Sequence, residues 1–191
     1  MRLTACLESP IGRLYAQEED GAIVFLGAAL PEGAVPPAGA VPPAGAVPPA
    51  GAVPPAGAVP PGDTDFEKNT LFDCLQKELN EYFSGRRTAF SLPVRLNGTP
   101  FQNRVWTELR KVPFGDTVTY GALAAAVGMP GASRAVGGAC NRNPLLLLIP
   151  CHRVVGADGR LTGFACGLEK KVFLLRHEHH TIDEAEMYLI L

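Results

Sequence analysis

The sequence predicts an α+β protein in two units. A small N-terminal α/β unit is built on a β-meander, and a mainly helical C-terminal unit carries a helix-turn-helix. Three observations support this. Short strand-like segments separated by turn residues fill positions 3–30. Helical spacings of three and four recur from residue 64 onward. Two short helical segments meet across Gly128-Met129-Pro130-Gly131.

The segments LTACLES and GRLYAQE flank the turn cluster Ser9-Pro10-Ile11-Gly12. AIVFLGA follows the acidic turn Glu18-Glu19-Asp20-Gly21 and completes a three-stranded meander. Residues 33–62 then read GAVPPA five times, the last copy ending in Gly62. Two prolines in every six residues forbid helix and interior strand, so the tract is a polyproline-like or disordered surface loop. It reads better as a repeat expansion in a tolerant loop than as a proline-rich ligand, because long loops cost little extra closure entropy. Without it about 160 residues remain, enough for a sizeable core. Residues 64–84 form an amphipathic helix with Phe72, Leu75, Leu79, Tyr82 and Phe83 on one stripe, ended by Gly85. Residues 88–96 carry a proline and read as a short edge strand. The first unit, 1–97, ends at Asn97-Gly98.

The second unit, 98–178, opens with a helix from Pro100 to Lys111, capped by Thr99 and burying Phe101, Val105, Trp106 and Leu109. Helices over 120–127 and 132–142 make the helix-turn-helix. The second of these has almost no side-chain bulk at Ala135, Gly137, Gly138 and Ala139. Helical glycines are costly, so close approach by another helix or by a nucleic-acid backbone is expected there. Leu145 to Ile149 reads as a buried strand, 156–164 as a hairpin-like loop, and 168–177 as a last helix with Val172, Leu174 and Leu175 inward. The tail, 179–191, is expected to pack poorly or to dock on a partner.

Composition excludes several classes. No apolar run approaches the roughly 18 residues of a membrane helix, and MRLTACLESP has no signal-peptide core. A soluble, cytoplasmic protein is expected, without a membrane partner. Five irregularly spaced cysteines suit free thiols, and metal is not expected, because there is no CxxC and every His lies at or after position 152. The net charge of −2 hides an asymmetry: residues 101–178 carry 10 Lys and Arg against 5 acids. A basic half is compatible with a polyanion-binding face and equally with chance.

The chemistry centres on Ile149-Pro150-Cys151-His152-Arg153-Val154. A cysteine after a proline and an apolar strand is rigidly held. Its neighbours His152 and Arg153 are expected to depress its pKa, and the thiolate is the reactive form. His152 can serve as base, directly or through a water, and Glu178 is the best candidate to orient it.

The motifs FQNRVWTELRKVPFGDTVTYGALAAAVG, SRAVGGACNRNP, IPCHRVV and GLEKKxxLLxHE follow one another in order. This order resembles the O6-alkylguanine-DNA alkyltransferase (methylated-DNA–protein-cysteine methyltransferase) family, over about residues 66–178. The resemblance implies a ribonuclease-H-like N-terminal domain and a winged-helix-like C-terminal one. It implies flipping of O6-alkylguanine, and also O4-alkylthymine, from duplex DNA. The alkyl group then passes irreversibly to Cys151, one turnover per molecule.

On the family pattern His152 is the base and Glu178 orients it. Asn143 holds the cysteine loop, Tyr120 protonates the departing guanine, and Lys171 supports that step. Arg134 fills the space of the flipped base, with Ala135, Gly137, Gly138, Tyr120 and Arg142 against the DNA. The alkyl pocket takes Pro150, Val154, Phe164, Ala165 and Cys166. Phe164 stands where Tyr is frequent, Ala165 replaces a small polar residue, and Cys166 occupies a position whose size affects alkyl range. No cofactor, no metal and no obligate protein partner are implied, and the protein would act as a monomer, in the nucleus if eukaryotic. The competing reading is a non-catalytic alkyltransferase-like sensor, against which Cys151 argues. A cysteine hydrolase would leave Arg134 on its slim helix unexplained.

Overall fold

The computed structural model describes residues 2–31, 33–34 and 70–178. The repeat tract from residue 35, the predicted helix start at 64–69 and the tail 179–191 lie outside the described residues. Within them are five α-helices and two small sheets. Strands β1 (Arg2–Leu7), β2 (Leu14–Glu19) and β3 (Ala22–Gly27) form the predicted antiparallel meander, with Ala5 opposite Ala16 and Ala16 opposite Leu26. The β2–β3 turn puts Asp20 and Gly21 at φ 50° and 75°, the left-handed pair that a tight hairpin needs. Helix α1 (Thr70–Phe83) buries Leu75, Leu79 and Tyr82.

The free edge of β3 ties the two halves together. The Ile23 N–H donates to the Pro93 carbonyl at 2.9 Å, and Arg95 N–H donates back to Ile23 at 3.0 Å. Further along, Leu26 N–H donates to Pro144 and Leu146 N–H to Leu26, each at 2.8 Å. This satisfies an edge that would otherwise stay open. It also anchors the segment leading to Cys151.

Two expected strands are corrected here. Residues 88–96 form no regular strand; only the stretch around Val94 bridges to Ile23. Leu145 to Ile149 is wholly buried but doubles back on itself. Leu148 N–H bonds to Leu146, Ile149 N–H bonds to Leu145, and Leu147 takes φ 69°. A short apolar run reports burial, not backbone shape. Residues 156–164 form a hairpin-like loop, as expected, closed by Gly156 N–H donating to Arg160 O at 2.9 Å.

Helix α2 (Pro100–Leu109) starts with a reciprocal cap. Thr99 Oγ1 accepts from Gln102 N–H at 3.3 Å, and Gln102 Oε1 accepts from Thr99 N–H at 2.8 Å. Its Trp106 is buried and donates Nε1–H to the Ala139 carbonyl at 2.9 Å, fixing α4 (Ser133–Asn141) against α2. Helix α3 (Tyr120–Ala126), capped by Thr119, precedes α4. Strand β4 (Val118–Thr119) pairs in parallel with β5 (Val154–Val155), which follows a single 3₁₀ turn at Cys151–Arg153. Helix α5 (Leu168–Glu178) closes the described chain, with Leu174 and Leu175 buried and Val172 half-buried.

One core runs through both halves, from Leu14, Ile23 and Leu26 to Leu123, Ile149 and Leu174. Each such side chain contributes about 2 kcal/mol by leaving water. Thr99→Ala removes one arm of the α2 cap and should cost about 1 kcal/mol in urea unfolding, whereas Thr99→Ser should stay within a few tenths.

Candidate active site

Cys151, His152 and Arg153 occupy one buried turn, so three consecutive side chains leave it in different directions. The thiol meets Asn143 Nδ2, at 3.1 Å from Sγ. The same amide nitrogen donates to Ile149 O at 2.8 Å, and Asn143 Oδ1 accepts from Leu145 N–H at 3.0 Å. Asn143 thereby ties together the backbone on both sides of the doubled-back apolar run.

His152 and Arg153 both reach Glu178 at the end of α5. His152 Nε2 lies 2.9 Å from Oε1. Arg153 grips both oxygens, Nε to Oε2 and Nη2 to Oε1, each at 2.8 Å, while its Nη1 donates to Val112 O at 2.6 Å. Burial alone would raise the Glu178 pKa, but hydrogen bonds and charge from His152 and Arg153 outweigh it and hold the carboxyl well below its usual range. An ionised Glu178 only accepts, so His152 Nε2 carries the proton and Nδ1 keeps a free lone pair. Nδ1 is buried and has no hydrogen-bond partner among the described residues. Burial lowers the His152 pKa, outweighing the opposing pull of Glu178, so the ring is neutral and basic at neutral pH.

The thiol departs from the sequence expectation. Burial pushes the Cys151 pKa up to about 11, with the Asn143 hydrogen bond and Lys171 working only partly against it. Arg153, expected to depress it, is committed to Glu178 instead. Lys171 is wholly buried and donates to Val154 O at 2.6 Å and Thr162 O at 2.9 Å. Burial brings its pKa down to about 8. Thr162 Oγ1 donates to the Tyr120 hydroxyl at 3.0 Å, so Lys171 and Tyr120 share one loop. Burial raises the Tyr120 pKa despite that bond, so the phenol keeps its proton.

Cys151 opens into a cavity of about 310 Å³ with Phe164, Ala165 and Cys166 on its wall, as expected from the sequence. Two expected wall residues are elsewhere. Pro150 lines a separate cleft beside Phe114 and Arg153, because the turn at Cys151 reverses the chain. Val154 lies in the core and offers only its carbonyl. The opposite wall comes from Phe25 to Ala29, a contribution sequence reading missed, and Ala28 backbone bonds to the Cys166 thiol. Gly115 N–H, also missed, points at Glu178 Oε2 from 3.4 Å. Cys140 faces the same cavity, its thiol pushed up to about 12 by burial.

Arg134, Ala135 and Arg142 are exposed on α4, with Gly137 and Gly138 half-exposed between them. Arg134, Gly137 and Tyr120 border one open cleft. A Cβ added at Gly137 would meet the Tyr120 ring at 3.7 Å, and one at Gly138 would meet only the Arg142 tip at 3.4 Å. Packing within the chain therefore requires neither glycine. Lys111 is paired with Glu108 at 2.6 Å, and Arg142, expected against the DNA, bonds to Gly138 O at 3.3 Å. Among the described residues no group of three metal-ligating side chains occurs, and no helix is long and apolar enough to cross a membrane.

The Glu178 ion pairs carry a pH signature. Its folded pKa is depressed, so its contribution is present above the unfolded carboxylate value and is lost as pH falls through the acid range. Wild-type unfolding free energy should drop progressively below about pH 4.3. Glu178→Gln should cost on the order of 3 kcal/mol at pH 7, by leaving Arg153 buried and unpaired, and should flatten this acid dependence.

A sequence profile of the "6-O-methylguanine DNA methyltransferase, DNA binding domain" family matches residues 100–180. The methylated-DNA–protein-cysteine methyltransferase of Methanosarcina acetivorans is 47% identical over 112 residues, 59% of this chain and 72% of that protein. The Mycobacterium leprae protein of the same name is 46% identical over 115 residues, 60% of this chain and 70% of that protein. The crystal structure of Mycobacterium tuberculosis OGT in complex with DNA superposes with TM-score 0.70 at 33% identity, covering 92% of each chain. With Cys151, His152, Asn143 and Glu178 assembled and relatives of this identity and coverage, the chain belongs to the methylated-DNA–protein-cysteine methyltransferase family.

Proposed function

We propose that this protein repairs DNA by direct reversal of alkylation, taking the alkyl group of O6-alkylguanine, and also of O4-alkylthymine, onto Cys151. The observation that carries the reading is one buried turn that holds both the thiol and His152, whose Nδ1 is free and whose Nε2 is held by Glu178. With a thiol pKa near 11, on the order of one molecule in a few thousand is thiolate at pH 7.5. A standing thiolate is therefore not the working form, and a base must take the proton as sulfur attacks. His152 does so at Nδ1 through a bridging water. Sulfur bonds to the alkyl carbon and the carbon–O6 bond breaks. The electron pair leaves with guanine, which is protonated by Tyr120 with Lys171 holding the intervening loop. The thioether has no hydrolytic exit, so each molecule turns over once.

The DNA side of the reading rests on α4. Two glycines that the chain's own packing does not require lie beside an exposed arginine that no described residue pairs with. A helix so slim lets a minor-groove backbone come close, and Arg134 enters the duplex as the base leaves. Exposed cations, Arg104 and Arg110 among them, meet phosphates without reading sequence. We read the meander unit as ribonuclease-H-like. The β4–β5 pair beside α3 supports reading the second unit as winged-helix-like. The protein works as a monomer without an obligate protein partner, in the cytoplasm, or the nucleus if eukaryotic.

Intact mass after incubation with excess O6-methylguanine duplex should rise once by a single methyl group, and Cys151→Ala should show no rise. A duplex that binds without a mass change would move the protein to the sensor reading. Gly138→Ala separates folding from DNA contact. It should hold or raise stability, by up to about 1 kcal/mol, yet weaken duplex binding. Arg134→Ala should slow transfer far more than it weakens duplex binding.

A further inference from the structure

Oxygen Oε1 of Glu178 accepts a third hydrogen bond, and it comes from the N-terminal half of the chain. The Tyr82 hydroxyl, near the end of α1, donates to it at 2.7 Å. Tyr82 is 1% exposed. Its ring stands edge-on to Phe83 and Phe114, with centroids at 5.1 and 5.9 Å, and leans on Phe90 at 5.3 Å. His177 Nε2 bonds to its carbonyl at 2.7 Å. Both ring and backbone are thus fixed, and the hydroxyl donates to Glu178 with Arg153 close by. Burial and the charge on Glu178 keep it protonated, so it acts as a permanent donor. A phenylalanine would serve the aromatic cluster equally well. The hydroxyl is tolerated in this interior only because it is bonded, and its partner is the oxygen that orients His152.

We propose that Tyr82 is a positioning residue for the alkyl transfer. It fixes the Glu178 carboxylate, and it moderates the pull of that carboxylate on the His152 N–H. The inference rests on the reading of Cys151 and His152 as nucleophile and base. Donors that share Oε1 compete for its electron density. With the Tyr82 donor removed, Glu178 stabilises the His152 imidazolium more strongly, and a larger fraction of His152 is protonated and unable to act as base. His152 is otherwise faced by Arg153 and Lys171, which both favour its neutral form. Glu178 is otherwise faced by Arg153 and the Gly115 N–H, while neighbouring His177 is turned to the Tyr82 carbonyl.

The test is the single-turnover rate of methyl transfer against pH, for wild type, Tyr82→Phe and a 3,5-difluorotyrosine variant at position 82. The fluorinated ring nearly keeps the shape and is a stronger donor. On the acid limb Tyr82→Phe should transfer about 3-fold more slowly, the change given by a limb moved up by about half a unit, with little change at alkaline pH. The difluorotyrosine protein should move that limb down. His152 titration by NMR in the same proteins should follow the same order and needs no transfer, so it decides the inference even if wild type fails to take up methyl. Limbs and His152 titrations that coincide in all three proteins would overturn the proposal, as would a uniform loss of rate at every pH. If Tyr82→Phe does not fold, the difluorotyrosine protein against wild type decides between the same two results.

Discussion

The Glu178 carboxylate accepts hydrogen bonds from parts of the chain far apart in sequence: Tyr82 of α1, the Gly115 turn, and both His152 and Arg153 of the cysteine turn. A buried charge of this kind costs several kcal/mol in lost hydration and persists only when fully paired. Here the bidentate arginine neutralises it, and the remaining donors complete it. The position of α5, the tautomer of His152 and the seat of α1 on the second half are consequences of one pairing.

From that constraint follows the division of labour at the site. Cys151 opens into a mostly apolar cavity, where burial disfavours a thiolate until it reacts. Its proton must leave by a route, and the only free lone pair on the neighbouring ring is at Nδ1. Asn143 holds the sulfur in place but cannot take its proton, since an amide NH2 only donates. An inert resting thiol suits a protein that can act once, because stray oxidation or alkylation of Cys151 would waste it. The same burial that slows the thiol makes the base indispensable.

How much of this was legible in the sequence depended on the range of the interaction. The meander, the capped α2, the helix-turn-helix and α5 follow from local pattern, and each appears where turn residues and spacings place it. The run Leu145 to Ile149 was legible as buried but not as doubled back, because five apolar residues carry no period. The cysteine, its histidine and Glu178 could be named from residue type and order. The Cys151 pKa could not, since desolvation is a property of the assembled cavity. Sequence proximity assigns Arg153 to the thiol two residues away; space gives it to Glu178. Tyr82 was legible only as part of an apolar stripe, although a tyrosine on a core stripe calls for a partner for its hydroxyl. The Phe25 to Ala29 wall came from a segment more than a hundred residues from the cysteine.

The central claim is that Glu178 fixes His152 as a neutral ring protonated at Nε2. Nitrogen-15 NMR of the histidine rings in the unreacted protein at pH 7 tests it directly. The expected spectrum contains one ring with a pyrrole-like Nε2 and a pyridine-like Nδ1, assigned to His152 by its loss in His152→Gln. A His152 signal protonated at Nδ1, or at both nitrogens, would contradict the claim.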